Sequence, residues 1–123
     1  MKPRSLMLAL CLAPLAAQAH PPACVLPPPD GAVVDWTPAN LAGVIQRIAK
    51  DRISIRAADG KLYPLRVSGS TWLSTAYGGG VDPADLKVGQ HALVWLQGCA
   101  VPGSTDRAVI IQVCSLGTEP CPG

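Results

Sequence analysis

The chain has 123 residues, ten Lys and Arg against eight Asp and Glu, and 49% hydrophobic but only 4% aromatic residues. This length suits one domain with a modest core. The formal charge of +2 falls to zero once Lys2 and Arg4 are set aside with a leader, and a neutral domain has no electrostatic reason to seek nucleic acid or an anionic membrane.

The first residues have the three parts of a secretory leader in order. Lys2 and Arg4 make a short basic start, Leu6 to Ala13 an apolar run broken by Pro14, and Ala17-Gln18-Ala19 a small-residue cleavage site. They predict a signal peptide over residues 1–19, a mature chain beginning at His20, and a periplasmic or secreted location. The apolar run is shorter than the roughly 20 residues of a bilayer span, and no second one follows, so no membrane anchor is expected. Neither Cys11, after Leu10, nor Cys24, after Pro21-Pro22-Ala23, has the small-residue approach of a lipidated cysteine. Lys2 and Arg4 leave with the leader, so the mature chain of 104 residues balances eight cations against eight anions.

Cleavage also removes Cys11. Cys24, Cys99, Cys114 and Cys121 remain, an even set that predicts two disulfides in an exported chain. None forms a CxxC pair, which disfavours zinc.

Residues 20–39 are proline-rich, with Pro21-Pro22 and Pro27-Pro28-Pro29, and read as an extended arm tied down by Cys24 and Trp36. The body is expected over 40–114 and a polar tail over 115–123. Leu41 to Ile48 is the first strand; both of its phases are partly apolar, which points to a bulge or coil. In Arg52 to Arg56, Ile53 and Ile55 face one way and Arg52, Ser54 and Arg56 the other. Asp59-Gly60 is a hairpin turn signal. The third strand has Tyr63, Leu65 and Val67 inward, with Pro64 marking an edge or a bulge. Ser68 to Thr71 and Gly78-Gly79-Gly80 read as a long flexible connection. Asp82-Pro83 then caps a single helical turn. His91 to Leu96 and Arg107 to Val113 are the last two strands, with a turn at Pro102-Gly103 between them.

The expected fold is therefore all-β: a small five-stranded OB-like Greek-key barrel with a short helical turn between the third and fourth strands. If Pro102-Gly103 centres the last hairpin, Cys99 and Cys114 lie too far apart to bond. That leaves Cys24–Cys99 with Cys114–Cys121, whose second bridge closes a short loop, or the alternative Cys24–Cys114 with Cys99–Cys121.

Several short motifs lie in this body: Gly43-Val44, Ile53-Ser54-Ile55, Gly60-Lys61-Leu62-Tyr63, Thr71-Trp72, Asp85 through Gln90, and Ala108 through Val113. In these motifs residues 43–113 resemble an uncharacterised bacterial exported domain family built on an OB-like barrel. The resemblance implies a fold and carries no catalytic residues with it. The proline arm and the four cysteines depart from the family's usual pattern.

Nothing gathers catalytic groups, so no enzyme is expected. The only glutamate is Glu119, and Asp82 and Asp85 have the spacing of a cap and its first turn. Gly78-Gly79-Gly80 lacks the Lys-Ser/Thr of a phosphate loop. His20 is chemically distinctive, because a mature N-terminus there pairs a free α-amine with an imidazole. With His91 as a further nitrogen ligand this set suits Cu(II), and no other cofactor is expected. Arg47, Lys50, Arg52, Arg56, Lys61 and Arg66 are six of the eight mature cations. Of these, Arg52, Arg56, Lys61 and Arg66 form a candidate face for an anionic polymer or glycan, or simply a solvated edge. The functional expectation is an exported, non-catalytic binding or interaction module with a protein or polymer partner in the envelope. Copper binding and polymer or glycan binding are the alternatives.

Overall fold

Alternation of apolar and charged residues, clearest in Arg52-Ile53-Ser54-Ile55-Arg56, puts one side of a strand in a common core. Ile53 and Ile55 on one strand meet Leu65, Val94, Ile111 and Val113 from others, all nearly inaccessible to water. Burial of each such side chain is worth about 1.5–3 kcal/mol. The computed structural model describes residues 23–28 and 35–122; the leader and His20 lie outside them. Among the described residues the fold is all-β, with strands β1 (Leu41–Ile48), β2 (Arg52–Ala57), β3 (Leu62–Arg66), β4 (Trp72–Thr75), β5 (His91–Leu96) and β6 (Ala108–Val113). They form a single six-stranded sheet in the order β3-β2-β1-β5-β6-β4. Neighbours are antiparallel except β4 and β6, which run parallel. An isolated parallel bridge joins Arg66 to Arg107, and the Arg66 N–H donates to the Asp106 carbonyl at 2.6 Å.

The strand count corrects the expectation of five. Trp72–Thr75, read from sequence as part of a flexible connection, is a strand seated on β6. Leu73 points into the core while Trp72 and Ser74 point away from it. The Thr71 hydroxyl donates to the Ala108 carbonyl at 2.9 Å and fixes where the strand begins. Gly78, at φ +96°, turns the chain back, and Gly80 bridges Ser74. The flanking glycines therefore shape a tight return. The helical turn is a 3₁₀ turn at Pro83–Asp85, capped by Asp82, whose carboxylate accepts from the Ala84 N–H at 2.9 Å. It falls between β4 and β5.

The ambiguous facing of β1 resolves as a bulge between Ile45 and Arg47. At Gly43 the strand passes so close to β2 that a Cβ would overlap the Arg56 carbonyl oxygen and lie 2.6 Å from Ile55 Cγ2. Gln90, fully buried, accepts from the Lys87 N–H at 2.7 Å and donates to the Ser115 and Leu116 carbonyls, each at 3.4 Å. It holds the tail against the entry to β5.

The β2–β3 hairpin turns at Gly60, whose φ is +80°. Asp59 organises it: one carboxylate oxygen accepts from the Lys61 N–H at 2.8 Å and the other from the Tyr63 hydroxyl at 2.9 Å. These two bonds hold the Asp59 carboxyl below the usual carboxylate range, the Lys61 bond contributing most. The carboxylate form is thus favoured by folding. Its contribution is complete above the ordinary carboxylate pKa and is lost as pH falls through the depressed folded value. The urea midpoints of the parent and Asp59→Asn are expected to differ at neutral pH and to converge in acid. A gap that persists or widens on acidification would rule this out.

Two disulfides close the chain, Cys24–Cys99 with Cα atoms 5.6 Å apart and Cys114–Cys121 with Cα atoms 4.6 Å apart. This is the first of the two pairings left open by the hairpin geometry. The arm makes its own small ladder: the Val25 N–H donates to Thr37 Oγ1 at 2.9 Å, and the Thr37 N–H donates to the Val25 carbonyl at 2.7 Å.

Candidate functional site

Register determines which side chains meet on the face of β5, β6 and β4 turned away from the core. Ile110 pairs with Trp72 on one side and Trp95 on the other, making a row across three strands. Gln112 likewise stands between Ser74 and Leu93 in the next row. Trp95 and Ile110 are only 2% and 7% exposed, yet neither belongs to the main core cluster. They are covered from the far side by the proline arm. The Trp95 indole N–H donates to the Thr37 carbonyl at 2.7 Å, and Asn40 Oδ1 accepts from the Leu96 N–H at 2.8 Å. With Cys24–Cys99, these bonds fix the arm's position over the sheet.

The arm leaves part of this face open. Trp36, Trp72 and Tyr77 are 48%, 47% and 83% exposed. They line one cleft of about 400 Å³, together with Pro27, Pro28, Trp95, Ser74 and Gln112. A second depression of about 320 Å³ shares Pro27, Pro28, Trp72 and Ile110 with the first, so Trp72 lines both. Among the described residues no Asp, Glu, Lys, Arg or His lines either one. Gln112 donates to the Thr75 carbonyl through a long bond of 3.4 Å. All three tryptophans of the chain therefore meet at one place. In the sequence Trp72 stands only in the Thr71-Trp72 motif and Trp95 only in the fourth expected strand, neither as a site residue. The available signal was the alternation of Trp72-Leu73-Ser74-Thr75, which marks a short strand with an aromatic on its outer face.

The residues singled out for binding are placed differently. Arg52 and Arg66 are a cross-strand pair, and both approach Asp106 Oδ2 at 3.7 Å. Arg56 donates to the Gly60 carbonyl at 3.0 Å and so braces its own hairpin. Lys61 is exposed in that turn. The four cations lie on β2, β3 and their connection, on the opposite side of the strand order from β4. His91 begins β5 and lines a shallow depression with Gln46 and Arg56. Its proposed partner His20 is outside the described residues, and among the described residues no three His, Cys, Asp or Glu side chains cluster as a metal site. Asp82 is occupied as a cap. Comparison of the chain with protein-family models, with curated proteins and with solved structures gives no match.

Proposed function

We propose that this chain is an exported, non-catalytic binding module on an OB-like barrel, with the tryptophan cleft as its contact surface. The observation that carries this reading is the gathering of Trp36, Trp72 and Tyr77, all exposed, around one cleft. Clustered exposed aromatics mark contact surfaces far more often than scattered ones do. The barrel reading is supported by the order β3-β2-β1-β5-β6 and by the Arg66–Arg107 bridge between its two ends, with β4 an addition to β6. Export is supported by the leader-like residues 1–19 and by two disulfides, which suit an oxidising compartment. The basic face is the weaker candidate, since Asp106 already approaches two of its arginines.

The test is retention of envelope material on immobilised, oxidised chain beginning at His20, with metal analysis of the same sample. Trp72→Ala/Tyr77→Ala is expected to lower retention by about tenfold, while Arg52→Ala/Arg56→Ala leaves it unchanged. Near-ultraviolet circular dichroism checks that each variant keeps its fold. Retention lost with the arginines and kept without the aromatics would transfer the function to the basic face. Stoichiometric copper dependent on His20 would favour the metal reading.

A further inference from the structure

We infer that the cleft takes an uncharged saccharide, bound across Trp72 with sugar units on both of its sides. This rests on the reading of the cleft as the contact surface and adds the chemistry of the ligand.

Charge comes first. Among the described residues no charged side chain lines the cleft or the adjoining depression. An ionic ligand would be desolvated there without a partner, which is costly. The ligand that fits is neutral.

Its hydrogen-bonding character follows from the polar groups. Ser74 and Gln112 stand opposite each other on the same face as Trp72, and Tyr77 adds a hydroxyl at the rim. A hydroxyl or a primary amide both donates and accepts. The matching ligand must do the same, as a sugar hydroxyl does. The 3.4 Å bond from Gln112 to the Thr75 carbonyl is long enough to be exchanged for a ligand bond.

The apolar part points the same way. Indole and phenol faces are electron-rich and attract C–H groups presented side by side, as on one face of a pyranose ring. A proline-rich peptide also offers such groups. However, Pro27 and Pro28 of the arm already occupy the cleft's apolar end, and a further proline run would bring acceptors but no N–H donors. The open part of the cleft would leave its own acceptors unanswered. The size, about 400 Å³, lies within the range of small-ligand sites. The adjoining depression of about 320 Å³ shares Trp72, so the surface extends past one sugar unit.

Oxidised chain beginning at His20 is titrated, by tryptophan fluorescence and calorimetry, with soluble neutral α- and β-linked glucan oligomers and N-acetylglucosamine oligomers. Decaproline and a sulfated polysaccharide are run beside them. At least one neutral series is expected to bind, to tighten with chain length, and to be insensitive to added salt. Trp72→Ala should weaken it by about tenfold and Gln112→Ala by about fivefold, with Arg52→Ala unchanged. Silence of every neutral series at millimolar concentration overturns the saccharide. Decaproline binding that is lost in Trp72→Ala also overturns it, while leaving the cleft as the contact surface. Salt-sensitive binding of the sulfated polymer that needs Arg52, with no neutral binding, overturns both.

Discussion

Gly43→Ala is expected to destabilise the domain by about 3 kcal/mol, with a fall in melting temperature on the order of 15 °C. The cause is space. Gly43 pairs with Ala57 of β2 and also with Ala92 of β5. A Cβ there would overlap the Arg56 carbonyl oxygen and crowd Ile55 Cγ2 at 2.6 Å and the Arg56 carbonyl carbon at 2.8 Å. Neither neighbour is a flexible side-chain end. The Arg56 carbonyl is β2 backbone, and Ile55 is fully buried. Moving β1 away from β2 would push it into β5, so relief breaks one ladder or the other. Valine should be no milder than alanine, because the conflict begins at Cβ. Gly80→Ala is the control: nothing lies within 4 Å of a Cβ at that position, and its effect should be close to zero. Urea unfolding checks both, with a lowered midpoint and unchanged slope expected for Gly43→Ala. Equal midpoints for the two variants would refute the close approach of β1 and β2.

The second large effect is expected from Cys24→Ala/Cys99→Ala. The two bridges span sequence separations of 75 and 7. In the chain-entropy account such loops are worth about 4.5 and about 2.4 kcal/mol, respectively. Loss of the longer bridge should therefore cost more than loss of Cys114–Cys121. It should also change how the protein unfolds. Without Cys24–Cys99 the arm is held by the Trp95–Thr37 and Leu96–Asn40 bonds and by its cover over Trp95 and Ile110. The arm is then expected to lift before the sheet melts, so tryptophan fluorescence changes at lower urea than the far-ultraviolet signal. Coincident transitions, together with a cost below that of Cys114→Ala/Cys121→Ala, would show that the arm is not tethered as described.

Local patterns in the sequence were reliable where one strand's own residues decide its facing. Ile53 and Ile55 alternate with Arg52, Ser54 and Arg56, and they are buried and solvent-facing as the alternation requires. Asp59-Gly60 turns, and Asp82 caps. What escaped was non-local. Four residues are too few for their alternation to decide the matter alone, and β4 exists because β6, far along the chain, offers it a parallel partner. The cleft escaped for the same reason. Trp36, Trp72 and Trp95 are remote in sequence and become neighbours only through the pairing of β4 with β6 and β6 with β5, under an arm fixed by Cys24. Conversely, the arginines of β2 and β3 are conspicuous in sequence, but the sequence does not show that Asp106 comes between them.

The return of the chain after β4 bears on how the molecule behaves when crowded. The Thr75 N–H donates to the Gly79 carbonyl at 2.8 Å and the Val81 N–H to the Leu73 carbonyl at 3.0 Å, so the outer margin of β4 is already engaged by its own following residues. At the other margin Pro64 has no N–H to offer, and the Arg66 N–H is given to Asp106. Edge-to-edge addition of further strands needs a long row of unengaged backbone groups to copy. Neither end of this sheet presents one among the described residues, so a strand from another chain finds little backbone to copy at either margin.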